Sequence, residues 1–124
     1  MKVIDSYGWI EYFTDGPLAN KYAPYIEDAD EANTITPAVV VYEVYKRLKK
    51  ERGEQVALEA YAQLTRTKII PFDQNSPLSG ADTSLTTGLG IADSIIYSTS
   101  KNHSAELVTS DPHLKNLAGV KFIQ

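Results

Sequence analysis

Apolar residues in this chain switch repeatedly between strand-like runs and helical spacing, and that alternation constrains the fold more than any single residue does. Runs of strand length occur at Lys2 to Asp5, Ala32 to Thr36, Lys68 to Phe72, Glu106 to Thr109 and Val120 to Ile123. Between them apolar positions recur with the helical period: Trp9, Ile10 and Phe13; Val40, Val41, Val44, Tyr45 and Leu48; Val56, Leu58, Ala60, Tyr61 and Leu64; Ala92, Ile95, Ile96 and Thr99. Strands separated by helices are the mark of crossover connections, which parallel strands require. The expected fold is therefore α/β, a three-layer α/β/α sandwich with a mostly parallel central sheet of about five strands. The 124 residues fit a single domain over 1–124.

Turn and cap residues set the boundaries. Ser6 to Phe13 reads as the first helix, stopped by Gly16-Pro17, and Leu18 to about Glu27 as a second, weakened by Pro24. Thr36-Pro37 reads as a cap followed by proline at the first helical position, opening a helix that runs to about Arg52 and ends at Gly53. Glu54 to Leu64 and Ile91 to Asn102 are further helices. Asp73 to Gly80 reads as the longest irregular stretch, with a weak helix from about Ala81 to Thr87 after it, and Pro112 to Leu117 as a short helix.

Composition narrows the chemistry. With 43% hydrophobic and 23% charged residues the chain matches an ordinary soluble protein. Met1 to Phe13 has no basic leader before a long apolar run, so neither a signal peptide nor a membrane span is expected, and the cytoplasm is the default location. Having no cysteine removes disulfides, thiolate nucleophiles and thiolate-bound zinc, so any metal must rest on oxygen or histidine. A net charge of −4 argues against non-specific attraction to nucleic acid. Lys46, Arg47, Lys49, Lys50 and Arg52 nevertheless form a basic run, readable either as a solvated helix face or as a phosphate track.

Four acids stand where strand and helix segments meet. Asp5 and Asp111 lie at or just beyond strand ends, Glu43 in the second turn of one helix and Asp93 in the first turn of another. Ligands of open parallel sheets bind beyond the carboxyl ends of the strands. Two carboxylates about 4 Å apart repel by roughly 4 kcal/mol at an effective dielectric near 20, so a convergent group calls for a cation, magnesium or manganese by ligand type. Each acid also has a simpler explanation. Asp111 before Pro112 suits a cap, Asp93 suits the positive end of its helix, Asp5 or Ser6 suits a cap of the first helix, and Glu43 suits an ion pair with Arg47. These separate explanations do not account for all four at one sheet edge.

The blocks carrying these acids resemble those of PIN-domain proteins, in particular the VapC toxins of prokaryotic toxin-antitoxin pairs. Val3-Ile4-Asp5-Ser6-Tyr7-Gly8-Trp9-Ile10-Glu11-Tyr12-Phe13 resembles the family's opening, Thr36-Pro37-Ala38-Val39-Val40-Val41-Tyr42-Glu43-Val44 its second acidic motif, Gly90-Ile91-Ala92-Asp93-Ser94-Ile95-Ile96-Tyr97 its third and Leu107-Val108-Thr109-Ser110-Asp111 its fourth. The blocks occur in the family's order and span nearly the whole chain. The resemblance implies a metal-dependent ribonuclease in which Asp5, Glu43, Asp93 and Asp111 hold one or two Mg2+ or Mn2+ ions, Asp5 and Asp93 most directly. It implies products with 5′-phosphate and 3′-hydroxyl ends, a homodimer, and a cognate antitoxin protein, with an arginine paired to the carboxylates as one means of blocking the site. Ser6 and Thr109 stand where relatives often carry a small hydroxyl residue and are candidate assistants. The chain departs from the pattern after Asp111, where many relatives have another acid and this sequence has His113 and Asn116. A non-catalytic PIN-fold scaffold or binding module is the competing reading. A magnesium phosphatase or phosphorylated receiver is disfavoured, because no adjacent or Asp-x-Asp acid pair follows the first strand.

Overall fold

The computed structural model describes all residues, 1–124. β1 (Lys2–Ile4) is followed by α1 (Ser6–Phe13) and α2 (Ala19–Glu27), and β2 (Ile35–Pro37) by α3 (Ala38–Arg52) and α4 (Glu54–Leu64). β3 (Lys68–Ile70) is followed by α5 (Ser76–Thr87) and α6 (Ile91–Asn102), then β4 (Glu106–Thr109) and β5 (Val120–Phe122). Every strand pairing is parallel: β4 lies between β1 and β5, and β2 pairs with β3. A parallel bridge from Lys2 to Thr34 joins the two ladders, giving the order β3-β2-β1-β4-β5.

Neighbouring strand residues point to opposite faces, and both faces here are covered. Val3 and Ile4 are 0% and 1% exposed, and Leu107, Val108 and Thr109 are fully buried. That is the sandwich expected from the alternating periods, with all five strands parallel. One connected core of 20 buried residues runs through it, including Trp9, Tyr22, Leu64 and Ile96. In α3 the buried stripe is Val40, Val44 and Leu48, one turn apart, while Lys49, Lys50 and Arg52 occupy the last turn, where the negative end of the helix dipole favours them. Gly53 adopts φ +90°, a backbone state that suits glycine, and alone separates α3 from α4.

Four local expectations are corrected. Pro37 ends β2 instead of beginning α3, and Thr36 does not cap that helix, because its hydroxyl pairs with Thr67 at 2.6 Å in the buried space between β2 and β3. The stretch expected to be irregular up to Gly80 is helical from Ser76. Asp73 Oδ1 accepts the backbone N–H groups of Asn75 and Ser76 at 2.9 and 3.2 Å and so organises the turn leading into α5. Pro112 to Leu117 forms successive turns and no regular helix, with Leu114 and Lys115 N–H bonded three residues back to Asp111 and Pro112. The strand read at Ala32 to Thr36 likewise begins only at Ile35, since Asp30 to Asn33 close a turn through the Asp30 side chain.

Candidate metal centre

Asp5 is placed by the sheet. Its N–H donates to Val108 O at 2.9 Å, continuing the β1–β4 ladder, in which Ile4 lies opposite Val108. Asp5 therefore sits beside Thr109, whose hydroxyl donates to Asp5 Oδ2 at 2.7 Å, while Ser6 N–H donates to Asp5 Oδ1 at 2.7 Å. Asp5 is thus both the cap of α1 and a member of the cluster. Of the two candidate caps it is Asp5, and Ser6 is left with its hydroxyl 3.4 Å from Asp5 Oδ1.

Glu43 reaches the same edge from α3. Its expected ion pair with Arg47 does not form, because Arg47 pairs with Glu51 at 2.6 Å. Glu43 Oε1 is sealed from solvent and has no hydrogen-bond partner. Asp93 arrives from the first turn of α6. Asp111 arrives from the segment after β4, its N–H bonded to the Thr109 hydroxyl at 3.0 Å. The cap reading of Asp111 also holds locally, since Asp111 Oδ1 accepts the backbone N–H of His113 at 2.9 Å. All four acids line one cavity of about 330 Å³, together with Ser6, Tyr7, Ser110 and Pro112.

The electrostatics are those of crowded anions. Burial pushes the Asp5 carboxyl up, with the Asp111 charge adding to it, against the hydrogen bonds from Thr109 and Ser6 that favour the ionised form. Burial raises Glu43, and Asp5 adds to it while the Ser6 hydroxyl opposes. Asp93 is pushed up to about 6, first by burial and then by the charges of Asp111 and Asp5. Ligand atoms of Asp93, Asp111 and His113 all lie within 4.8 Å of one another, and His113 Nδ1 is 3.0 Å from Asp111 Oδ1.

Two lining residues, Tyr7 and Ser110, were not singled out in the sequence, although both lie inside the quoted motifs. Tyr7 is 44% exposed at the cavity. Ser110 donates to Ile123 O at 2.7 Å and contacts the Tyr22 hydroxyl at 2.5 Å, tying the cavity wall to the C-terminal strand and to α2. Tyr22 itself left no signal beyond its place on an apolar helix face. Tyr42 and Tyr61 are exposed and Tyr45 packs against the core. His103 ends α6 with Nδ1 3.0 Å from Thr99 O, as suits a helix C-terminus.

The family model for the PIN domain matches residues 2–120, and the chain belongs to that family. The fold is shared with a toxin-antitoxin complex from Klebsiella pneumoniae (21% identity, 98% of this chain and 96% of that chain, TM-score 0.81). It is shared also with VapBC from Salmonella typhimurium bound to DNA (11%, 99% and 97%, 0.74). A third similar structure is VapC20 of Mycobacterium tuberculosis, described as a Sarcin-Ricin loop cleaving toxin (12%, 86% and 85%, 0.71). At these identities the likeness is one of fold. No curated protein sequence matches the chain. No helix is long and apolar enough to cross a membrane.

Proposed function

We propose that this PIN domain, working as one unit over residues 1–124, is a divalent-metal-dependent ribonuclease and the VapC-type toxin of a toxin-antitoxin pair. The observation that carries the reading is the meeting of four carboxylates from four separate elements in one cavity, one of them with a buried oxygen that no protein group satisfies. An unpaired buried carboxylate oxygen is costly, and a cation is the partner that would satisfy it. The donor set is hard oxygen with one imidazole at the rim, which suits Mg2+ or Mn2+.

Asp5, Glu43, Asp93 and Asp111 would hold the ion. When bound, it supplies Lewis acidity and charge neutralisation at a phosphodiester. Asp5, fixed by Thr109 and Ser6, offers its oxygens without having to reorganise. Ser6 holds Asp5 through its backbone N–H, with its hydroxyl 3.4 Å from the same carboxylate oxygen, and lines the cavity beside Glu43. Burial and the charges of Asp111 and Asp5 push Asp93 up to about 6, so it gives up a proton more readily when a cation shares the site. The toxin reading further implies a cognate antitoxin, a homodimer and a cytoplasmic setting.

The decisive test is cleavage of single-stranded RNA by the purified protein. Cutting should require Mg2+ or Mn2+, stop with EDTA, and fall by about a hundredfold or more in folded Asp5→Asn and Asp93→Asn proteins. Equal activity in those variants would reject the metal-nuclease reading, and an inactive parent would favour a PIN scaffold.

A further inference from the structure

A groove of about 340 Å³ between α1 and α3 adjoins the acidic cavity and shares Ser6 and Glu43 with it. Resting on the nuclease reading, we propose that this groove holds single-stranded RNA on one side of the scissile phosphate, with Tyr42 stacking a base and Lys46 and Lys50 binding the backbone.

The three residues form one stripe along α3, spaced one turn apart and about 6 Å in rise per step. Tyr42 is 61% exposed, far more than a core tyrosine, and the Lys46 ammonium lies 5.4 Å from its ring centre. The basic run read from the sequence divides in the structure. Arg47 pairs with Glu51 at 2.6 Å, Lys49 with Glu54 at 3.5 Å, and Arg52 donates to Thr14 O at 3.3 Å. Lys46 and Lys50 face the groove with no ion pair. Arg52's partner is a neutral carbonyl, so of the three cations of the run without an ion pair, two, Lys46 and Lys50, are on the side that leads to the acids. With a net charge of −4, attraction to a polyanion has to be local, and this stripe makes it so.

The combination selects its occupant. An acidic peptide would meet the two lysines, but a run of acidic side chains has no flat face for Tyr42. An RNA strand offers phosphates to the lysines, a base face to the tyrosine and a phosphodiester to the cation the acids would hold.

Binding of a short fluorescent single-stranded RNA, measured by anisotropy across a salt series with calcium as the sole divalent ion, tests this apart from cleavage. Lys46→Glu with Lys50→Glu should weaken binding at least about tenfold at low salt and lower the log–log salt slope by about 1.4, two phosphate contacts' worth. Tyr42→Ala should lose about tenfold and Tyr42→Phe almost nothing, as stacking needs the ring and not the hydroxyl. Lys68→Glu with Lys101→Glu, at the opposite edge of the sheet, makes the same change in net charge and should leave the slope at the parental value. Parental affinity and slope in the groove variants, or no RNA binding by the parent, overturns the proposal. So does tighter binding of polyglutamate than of RNA, lost on lysine reversal and insensitive to Tyr42→Ala. A groove that binds RNA in a parent that does not cut it would instead sink the nuclease reading and leave the track standing.

Discussion

The two walls of the acidic cavity are built differently. On the inner wall Asp5 is 4% exposed and held by a strand register, a buried hydroxyl and a helix N-terminus. On the outer wall Asp93 and Asp111 are half-buried; Asp93 is raised first by burial and then by the charges of Asp111 and Asp5, and a rim imidazole contacts Asp111. On the inner wall protein donors hold the carboxylate in place and offset part of the burial that opposes its charge. The outer wall is a set of like charges whose best arrangement depends on something positive between them. Pre-organisation and responsiveness are thus divided between two sides of one site.

Breaking the inner wall should have the larger effect on the fold. Thr109 donates to Asp5 and accepts from Asp111 N–H, so Thr109→Val removes both bonds at a fully buried position. Because one of them serves a carboxylate, the expected loss of stability is about 2 kcal/mol, read by urea denaturation, with Thr109→Ser close to the parent. An unchanged midpoint for the valine variant would mean that the sheet edge alone fixes Asp5. The outer wall should respond in the opposite sense. Burial, and after it the charges of Asp111 and Asp5, push Asp93 up to about 6, well above the ordinary carboxylate range. A raised carboxyl favours the folded state fully below the unfolded value and loses that contribution as pH rises through the folded one. Metal-free protein should therefore lose melting temperature as pH climbs from about 4 through about 6, and Asp93→Asn should flatten the fall and be the more stable protein at neutrality. Magnesium should restore the parent at neutral pH and leave Asp93→Asn almost unmoved. A parental curve without that fall would remove repulsion as the organising feature of this wall.

The same division governs what could be read from the sequence. The inner wall is legible because Asp5 and Thr109 belong to strands, and a parallel sheet brings strand ends together; only the register that sets them side by side was missing. Glu43 was ambiguous. Spacing by four allows both Glu43–Arg47 and Arg47–Glu51, and burial of Glu43 decides between them, which no local rule supplies. The helix α3 was plain because it buries a regular stripe, whereas α5 was half missed because Gly80 is its one fully buried residue. A β-carbon at Gly80 would come within 3.2 Å of Ile95 Cγ1, so α5 docks on α6 through a close approach that hydrophobic periodicity does not register. Leu78 and Leu85, the large apolar residues of α5, are 67% and 86% exposed.

The least effect is expected from His113 at the outer rim, whose side chain is 82% exposed with Nδ1 on Asp111. Imidazole is a poor ligand for magnesium and a fair one for manganese, so His113 should bias the outer wall's choice of ion while leaving the oxygen donors intact. His113→Ala should weaken Mn2+ binding by a few-fold in calorimetry and leave Mg2+ binding unchanged, narrowing the preference between the two. An exposed side chain contributes little to folding, so the metal-free melting temperature should stay within error of the parent. Equal weakening for both ions would mean that His113 acts only by orienting Asp111, and the rim would then be an extension of the acid wall with no ion preference of its own.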